Sequence, residues 1–505
     1  MKKFKFFALA AALVMAAACS EPLNEAAEDD GTSAVEAATH VATKSHWGNK
    51  IEDPYSVSNM RLAYKELMKN SGNTLSKAGV VEDEIAPTHL YLKFIPKTFE
   101  ELRLLDTDTI LNVVPVPLTY DLEGFDGVYR DPECPEGQPT YQYAVARINY
   151  QLPDVEYVVL DSLFMPFEDD YDQVALSKST KFKSIWQDLE LESVKLTGNF
   201  SEEDYNPPTL SKKYHPSGKV SYVDDVRGEV GVPNVRVHVN FSTHSHNFYT
   251  NEDGSFEANG RFTWKVHFHV YFKCPDATVY LNNRSGSKNV AGSYGGKATT
   301  CNNFYIDNPD KKNYAIIITA AYDYFQKEHE IYKKHTSDLS VFYHGADQYG
   351  GDTIQFINNS QGINMYYMPL AHDKAYGKAI NGFAGIVLEQ ATGKLIGHTK
   401  ENSPGVFNSN VHKAWREGVE WFISKETYPR TYENRANLFK DLIDNDDSDS
   451  HNDQVSDFRI KTISNCTYNV SLWSTLRANL QRQTTTANRR KLDNLIDYWE
   501  QQYNY

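Results

Sequence analysis

The chain has 505 residues, a formal net charge of −16, and a hydrophobic content of 40%. This length can bury several cores, so we expect three or four domains rather than one. The acidic charge repels phosphate backbones and argues against nucleic acid as a partner. The long apolar run is N-terminal, and this pattern excludes a multi-span membrane protein.

Residues 1–18 have the pattern of a secretory signal peptide. Three lysines, at positions 2, 3 and 5, precede the apolar run Phe6 to Ala18. That run is about thirteen residues long, too short to cross a bilayer as a stable helix. We therefore expect this segment to direct secretion rather than to anchor the chain.

The apolar run ends in AAAC, and this sequence resembles the lipobox of bacterial lipoproteins. The resemblance implies that Cys19 is lipidated and attaches the mature chain to a membrane; a plain signal peptide is the alternative. The acidic stretch SEPLNEAAEDD resembles the surface-export signals of some Gram-negative lipoproteins. We expect residues 19–50 to form a lipidated flexible tether on an outer-membrane lipoprotein that is exposed on the cell surface.

Residues 51–205 have the pattern of an N-terminal α+β domain. PYSVSNMRLAYKELMKN has its apolar residues at helical spacing, and TFEELRLLD predicts a second helix that begins after Thr98. THLYLKFIP alternates as a strand does, and ILNVVPVPLTYDL predicts another strand.

Residues 220–305 give the clearest β pattern. Short alternating segments are separated by GVPN, NEDG and NG turns, as in a small antiparallel sandwich. The segment from Val226 to Phe272 also resembles the carboxypeptidase regulatory-like, transthyretin-type module. Such a module is a structural companion in many secreted proteins, so the resemblance implies a fold and no chemistry.

Four cysteines follow Cys19, and an oxidising compartment would allow three pairings among them. Cys274 and Cys301 bracket a stretch rich in Gly, Ser and Asn, and we favour the disulfide that closes this loop. Their spacing is not that of a cysteine zinc site.

Two histidines in KVHFHVYF are candidate metal ligands. Strand alternation places His267 and His269 on one face, with Val266, Phe268 and Val270 on the other. Such a pair can chelate zinc or copper. The alternative is a pair of solvated histidines on an exposed sheet face.

Residues 313–505 are mainly helical by pattern. The predicted helices are NYAIIITAAYDYFQKEHEIYKKH, AINGFAGIVLEQATGKLIGH, NSNVHKAWREGVEWFISKETY, SLWSTLRANLQ and ANRRKLDNLIDYWEQQY. We expect these segments to pack into one helical domain.

Within this domain, LEQAT followed by AWREGVEWFI resembles the two helices of a gluzincin-type zinc metallopeptidase. In HExxH, two histidines one turn apart bind zinc and the glutamate activates water. The resemblance places Glu389 at the base position and Leu388 and Thr392 at the histidine positions. It implies Glu417 as the third ligand, with Glu420 as the other candidate.

Leu388 and Thr392 provide no imidazole, so the resemblance implies a degenerate site that has lost hydrolysis by the standard mechanism. An ordinary buried helix with a glutamate on its edge explains the same residues. Three other histidines of the region, His372, His398 and His412, could form a rearranged site.

The sequence thus predicts an α+β multidomain protein with a small β-sandwich in the middle and a mainly helical, zincin-like C-terminal domain. The favoured function is a non-catalytic pseudo-metallopeptidase that binds an unidentified protein, peptide or glycan, or acts as a scaffold, with no cofactor expected. Two alternatives stay open: a zinc-dependent peptidase with a non-standard metal site, and a structural or adhesive surface protein.

Overall fold

A computed structural model gives the architecture of most of the chain. It describes residues 49–71, 81–120, 130–166, 185–204, 215–258, 262–282, 288–298, 300–334, 339–344, 356–359, 362–366, 371–392, 410–443, 455 and 458–504. Lys44–Tyr505 form one compact unit. Among the described residues, no helix is both long enough and apolar enough to cross a membrane.

The N-terminal region is a three-stranded antiparallel sheet with three helices. Its elements are α1 (Val57–Ser71), β1 (His89–Phe94), α2 (Phe99–Asp106), β2 (Gln142–Arg147), β3 (Tyr157–Leu163) and α3 (Trp186–Leu196). The strand order is β2-β1-β3, which leaves β3 at one edge. The Thr98 side chain accepts a hydrogen bond from the backbone N–H of Glu101, so the predicted start of α2 is confirmed.

The strand predicted from ILNVVPVPLTYDL is wrong. Val114 makes only an isolated bridge to Tyr143, and residues 115–119 are turn or irregular backbone. Pro115 and Pro117 explain the difference, because proline has no N–H to donate to a sheet ladder.

The middle region is a two-sheet β structure. It begins with β4 (Ser217–Asp224), β5 (Gly228–Gly231), β6 (Arg236–Phe241), β7 (His244–Tyr249), β8 (Ser255–Glu257) and β9 (Val266–Tyr271). Strands β10 (Ala277–Asn282) and β11 (Lys288–Val290) belong to another sheet. The next two strands, β12 (Gly292–Ala298) and β13 (Thr300–Ile306), again belong to the middle region. One sheet has the order β12-β9-β6-β7; the other has β13-β4-β5, with β8 also on β4.

Two details of this region follow from particular residues. The predicted NEDG turn ends in Gly254, at φ +82, where an added Cβ would lie 2.4 Å from the carbonyl oxygen of Val220. Glycine is therefore required there. Strands β13 and β4 pair in parallel, so the sandwich is not wholly antiparallel.

The C-terminal region contains more strand than its pattern predicts. Strands β14 (Leu339–His344), β15 (Phe356–Asn359) and β16 (Gly362–Tyr366) lie within the predicted helical range. They join β10 and β11 in a mixed sheet of order β11-β10-β14-β16-β15, with β10 parallel to β14. The predicted boundary near residue 305 therefore divides one sheet.

Helices make up the rest of this region. They are α4 (Pro309–Phe325), α5 (His372–Thr392), α6 (Asn410–Thr427), α7 (Pro429–Tyr432), α8 (Leu438–Ile443), α9 (Ile460–Thr467), α10 (Trp473–Gln481) and α11 (Arg489–Asn504). The α+β layout with a helical C-terminal region is thus confirmed. Buried apolar residues of all three regions, such as Met60, Val239, Phe383 and Leu480, belong to one continuous core.

Candidate functional site

Helices α5 and α6 pack against each other in antiparallel orientation. Near one end, the hydroxyl of Tyr376 lies 3.4 Å from that of Thr427. Further along α5, Asn381 Nδ2 donates to Glu420 Oε2 over 2.9 Å. A higher residue number on α5 therefore pairs with a lower one on α6, so the two helices run in opposite directions. These are the two helices whose sequences resemble a zinc-peptidase pair.

The position that corresponds to the first histidine is part of the apolar core. Leu388 has 0% of its surface exposed and packs among other buried side chains, including Val387. Glu389, at the base position, is half-buried. Thr392 is the last residue of α5, and its side chain lies outside the described part of the structure.

Glu420 is the more deeply buried of the two candidate third ligands. Its side chain is 3% exposed and pairs with Arg435, whose NH1 lies 2.6 Å from Glu420 Oε1. The other oxygen accepts the hydrogen bond from Asn381. Both oxygens of Glu420 are therefore engaged in contacts that hold the fold together.

The level of Glu420 along the helix pair differs from that of Leu388. Glu420 contacts Asn381, which lies seven residues before Leu388 on α5, a rise of about 10 Å. Antiparallel packing places the first turn of α6, near His412, at the level of Leu388. Glu420, the second candidate for the third ligand, is thus displaced from the level of the Leu388 position by about two helical turns.

Glu417 faces a different element. Its Oε2 accepts a hydrogen bond from the hydroxyl of Tyr503, on α11, over 2.8 Å. Burial, followed by the charge and hydrogen bond of Glu417, raises the pKa of Tyr503 above its ordinary value. Glu417 therefore joins α6 to the last helix.

A group of possible metal ligands occurs where the middle and C-terminal regions meet. One ligand atom from each of Asp224, Asp225 and His372 lies within 4.8 Å of the others. His372 begins α5, and Asp224 ends β4. Sequence spacing gave no sign of this group, because 147 residues separate Asp225 from His372.

The hydrogen bonds of Asp224 join the end of β4 to neighbouring elements. Asp224 Oδ2 accepts from Tyr428 Oη at 2.6 Å, and its Oδ1 accepts from the backbone N–H groups of Val226 and Arg227. Burial raises the pKa of Asp224, but these hydrogen bonds outweigh it and the net pKa is lowered.

His372 is engaged in the same way. Its Nδ1 lies 3.0 Å from the backbone nitrogen of Asp225 and accepts its hydrogen bond, while the carboxylate of Asp225 accepts from the N–H of His372. These contacts tie the end of β4 to the start of α5.

The histidines of β9 lie on one face of the sheet, as predicted, but that face is covered. His269 is 5% exposed, and it stands opposite His238 on β6. Arg236 on the same face donates to the carbonyl oxygens of Asn112 and Val113 from the N-terminal region. The expectation of an exposed, solvated face is therefore wrong for His269.

The ring contacts of these histidines are local. His269 Nε2 lies 3.0 Å from Asn240 Oδ1, and His238 Nδ1 lies 3.1 Å from Asn247 Oδ1. Burial, with the charge of Arg236 as the second cause, lowers the pKa of His238 to about 3. Burial also lowers the pKa of His269 well below its usual value. Both imidazoles are thus neutral at pH 7.

The face of the sheet that carries His238, His267 and His269 is called the histidine face below. Two clefts in the described part of the structure lie between the N-terminal region and this face. One, of about 210 Å³, is lined by residues that include Tyr120, Asn199, Asn240, His267 and Lys297. The other, of about 240 Å³, has a lining that includes His89, Arg147, Tyr150, His238 and Asn247. Each cleft has room for a small part of a ligand, and its lining offers both hydrogen-bond donors and hydrogen-bond acceptors.

The remaining predicted residues are placed as follows. His412 is buried on α6, and His398 lies outside the described residues. Cys19 and the side chain of Cys301 lie outside them too, so the lipid attachment and the Cys274–Cys301 bond stay predictions. Cys274 is fully buried.

Comparisons with known proteins do not assign a family. No family model matches the chain. No curated protein matches it either. Among solved structures, the chain has a similarity to a 9R-lipoxygenase from Cyanothece PCC8801 at 10% identity, covering 50% of this chain and 32% of the lipoxygenase with a TM-score of 0.12. A similarity at that TM-score carries no argument about fold or function.

Proposed function

We propose that this chain is a non-catalytic, surface-exposed lipoprotein of the outer membrane that acts in binding or scaffolding. The sequence supports the anchor through the small residues before Cys19 and the acidic tether after it. The helix pair α5–α6 is, in this proposal, a structural relative of a peptidase site rather than a working one.

The observation that carries the proposal is the engagement of Glu420. A zinc ligand must present a carboxylate oxygen to the ion. Glu420 instead holds Arg435 and Asn381, in a setting where its side chain is 3% exposed. Releasing it would leave a charged Arg435 without its partner, at a cost of several kcal/mol.

The residues at the ligand positions do not fit zinc. In a gluzincin-type site, the metal polarises a bound water and the glutamate takes its proton. Leu388 has no ligand atom and lies in the core, and Glu417 is bound to Tyr503. No hydrolytic step is therefore assigned to Glu389.

The binding role rests on the clefts beside the histidine face. Their walls combine tyrosine rings with amide, imidazole and cationic groups. Tyrosine packs its ring while its hydroxyl stays hydrated, a combination that suits peptide or glycan ligands.

Hydrolysis of a mixed peptide library tests the absence of catalysis. The purified mature chain is incubated with the library, with and without added zinc, beside a Glu389→Gln variant. We expect no hydrolysis by either protein above that of the library alone. Turnover by the wild-type chain that Glu389→Gln abolishes would refute the non-catalytic assignment.

Metabolic labelling with a fatty-acid analogue tests the anchor. The native chain should incorporate the label and sediment with membranes, and Cys19→Ala should do neither. Membrane attachment that survives Cys19→Ala would contradict lipidation at this residue.

A further inference from the structure

The side chains of His238 and Asn247 form a hydrogen-bonded pair on the histidine face. The two residues lie opposite each other on β6 and β7. Arg236 Nε donates to Asn247 Oδ1 over 2.8 Å, and His238 Nδ1 lies 3.1 Å from the same oxygen. A guanidinium group can only donate hydrogen bonds, so the amide atom that faces Arg236 is the oxygen and not the nitrogen.

The orientation of the Asn247 amide determines which nitrogen of His238 carries the proton. Because Asn247 Oδ1 can only accept, His238 Nδ1 must donate to it. Burial and the charge of Arg236 lower the pKa of His238 and keep the imidazole neutral at pH 7, so the ring has one N–H. The lone pair that accepts hydrogen bonds is therefore on Nε2.

This acceptor is buried without a hydrogen bond from the described residues. His238 is 1% exposed, and its Nε2 has no hydrogen-bond partner within the described part of the chain. A buried acceptor without a donor destabilises the fold, and such atoms are uncommon in native proteins. The unsatisfied Nε2 therefore points to a donor from outside the chain.

The larger of the two clefts brings this acceptor together with a donor and an apolar surface. Its lining, around about 240 Å³, includes both His238 and Asn247, together with the apolar side chains of Leu111 and Val114. The side-chain hydrogen bonds of Asn247 with other described residues use its Oδ1, which leaves Nδ2 as a donor. A ligand reaches the buried Nε2 only if side chains of the cleft move, as is common on binding.

The charges around His238 select the kind of group that can bind Nε2. An ionised carboxylate only accepts hydrogen bonds, so it would face the lone pair of Nε2. An ammonium group or a metal cation would be repelled by Arg236 and by Arg147, which lines the cleft. Among the described residues, three possible metal ligands approach one another where β4 meets α5, and not on the histidine face. The group that fits is neutral and carries a hydrogen that it can donate.

We propose that this cleft binds a neutral sugar ring, one hydroxyl of which donates a hydrogen bond to His238 Nε2. A hydroxyl both donates and accepts, so a sugar can also accept a hydrogen bond from Asn247 Nδ2. Its apolar C–H groups suit the side chains of Leu111 and Val114. A peptide N–H also donates, but its carbonyl oxygen lies on the opposite side of the planar unit, so one peptide unit does not meet both partners. The inference rests on the binding role proposed above and narrows its ligand to a glycan.

Saturation-transfer NMR of the mature chain with neutral methyl glycosides tests the proposal. The panel contains the methyl glycosides of glucose, galactose, mannose, xylose and N-acetylglucosamine, and a titration measures each dissociation constant. We expect at least one to bind, with a dissociation constant that rises at least about tenfold in His238→Leu. The matched control is His215→Leu, at a half-buried histidine that does not line this cleft, and it should leave binding unchanged. Sugar binding that His238→Leu leaves unchanged overturns the proposal.

Modified sugars test the hydrogen bond without any change to the protein. Each hydroxyl of the glycoside that binds is replaced in turn by hydrogen and by fluorine, neither of which can donate a hydrogen bond. We expect one position at which both analogues bind the wild-type chain at least about tenfold more weakly than the parent sugar. At that position His238→Leu should no longer distinguish the analogues from the parent. The absence of such a position in wild type overturns the proposal.

The same NMR measurement with the mixed peptide library separates this inference from the proposed function. Binding of peptides without binding of any glycoside overturns the sugar assignment and keeps the binding role. Binding of neither overturns the sugar assignment and also removes the support that the clefts give to the binding role.

Discussion

The helix pair α5–α6 and the edge strand β3 use their side chains in opposite ways. Between the helices, charged and polar groups are buried, and Glu420 and Asn381 bond to partners within the chain. On β3, apolar groups from Tyr157 to Leu160 are exposed instead. The helix pair carries residue types found in catalytic sites, but their side chains make contacts within the chain. The strand β3 carries no catalytic motif, yet its apolar side chains are exposed.

This difference affects how candidate residues are judged. A carboxylate in a motif position is a strong functional candidate only when contacts within the chain leave its oxygens accessible to a ligand. Asp224 and Glu420 both fail that condition, because hydroxyl, amide, backbone or guanidinium donors occupy them. The proposed binding role therefore rests on the clefts.

The largest expected effect is that of Glu420→Ala. It leaves the charge of Arg435 without its partner, and we expect the free energy of unfolding to fall by about 3 kcal/mol. Arg435 is a third exposed, so water compensates part of the loss. Urea denaturation measures the effect, and Glu433→Ala, on an exposed glutamate nearby, should change stability by less than about 0.5 kcal/mol. Equal effects of the two variants would show that the Glu420 contacts are unimportant.

Acid should destabilise the protein through His238. The pKa of His238 in the folded chain is about 3, below the ordinary value of 6.5, so the unfolded chain binds more protons between these pH values. The contribution of His238 to the free energy of unfolding is therefore fully present above pH 6.5. As the pH drops below 6.5, this contribution falls by about 1.4 kcal/mol per pH unit. When the pH is lowered from 6.5 to 4.5, the free energy of unfolding of His238→Gln should fall by about 2 kcal/mol less than that of wild type.

The matched control for this pH series is His215→Gln, a half-buried histidine at the start of the same β region. Its acid sensitivity should stay close to that of wild type. Denaturant midpoints at several pH values provide the measurement. Identical pH profiles for wild type and His238→Gln would contradict the assignment of a buried neutral imidazole.

A smaller effect is expected from Gly418→Ala on α6. The added Cβ would lie 2.2 Å from the ring of Phe439, so the ring must move. Overpacking costs about 1–3 kcal/mol, which outweighs the gain in helix propensity of about 1 kcal/mol. Thermal unfolding should show a lower midpoint, whereas Gly296→Ala, with nothing within 4 Å of the new Cβ, should not. A raised midpoint for Gly418→Ala would show that the helix packing is looser than described.

The smallest effect should come from Val159→Lys on β3. The valine is 46% exposed and belongs to the edge strand, so its replacement removes little buried apolar surface. We expect the free energy of unfolding in denaturant to change by less than about 0.5 kcal/mol. A loss above about 2 kcal/mol would mean that β3 is an internal strand and not a surface.

Local patterns predicted the local elements well. Helical spacing and the cap at Thr98 identified α2, and the apolar stripes identified α5 and α6. The partners in the mixed sheet could not be predicted, because β10 pairs with β14 across a long stretch of sequence that includes three strands and a helix. Short apolar runs such as LSVFYH carry no information about which strand they will join.

The site was predictable only in part, for a related reason. The resemblance placed α5 and α6 side by side, and they do pack together. It could not show that Glu420 lies level with Asn381 or that Glu417 turns to Tyr503, because helix register depends on packing along the whole interface. The group of Asp224, Asp225 and His372 likewise needs the fold to bring β4 to α5.

The central claim is that the helix pair is structural and does not hold zinc. Elemental mass spectrometry of the mature chain, after zinc loading and gel filtration, tests it most directly, with Glu389→Gln and Glu420→Gln measured alongside. We predict no stoichiometric zinc in wild type or in either variant. About one zinc per chain in wild type, lost in one of the variants, would contradict the account and assign the helix pair to a metal-dependent enzyme.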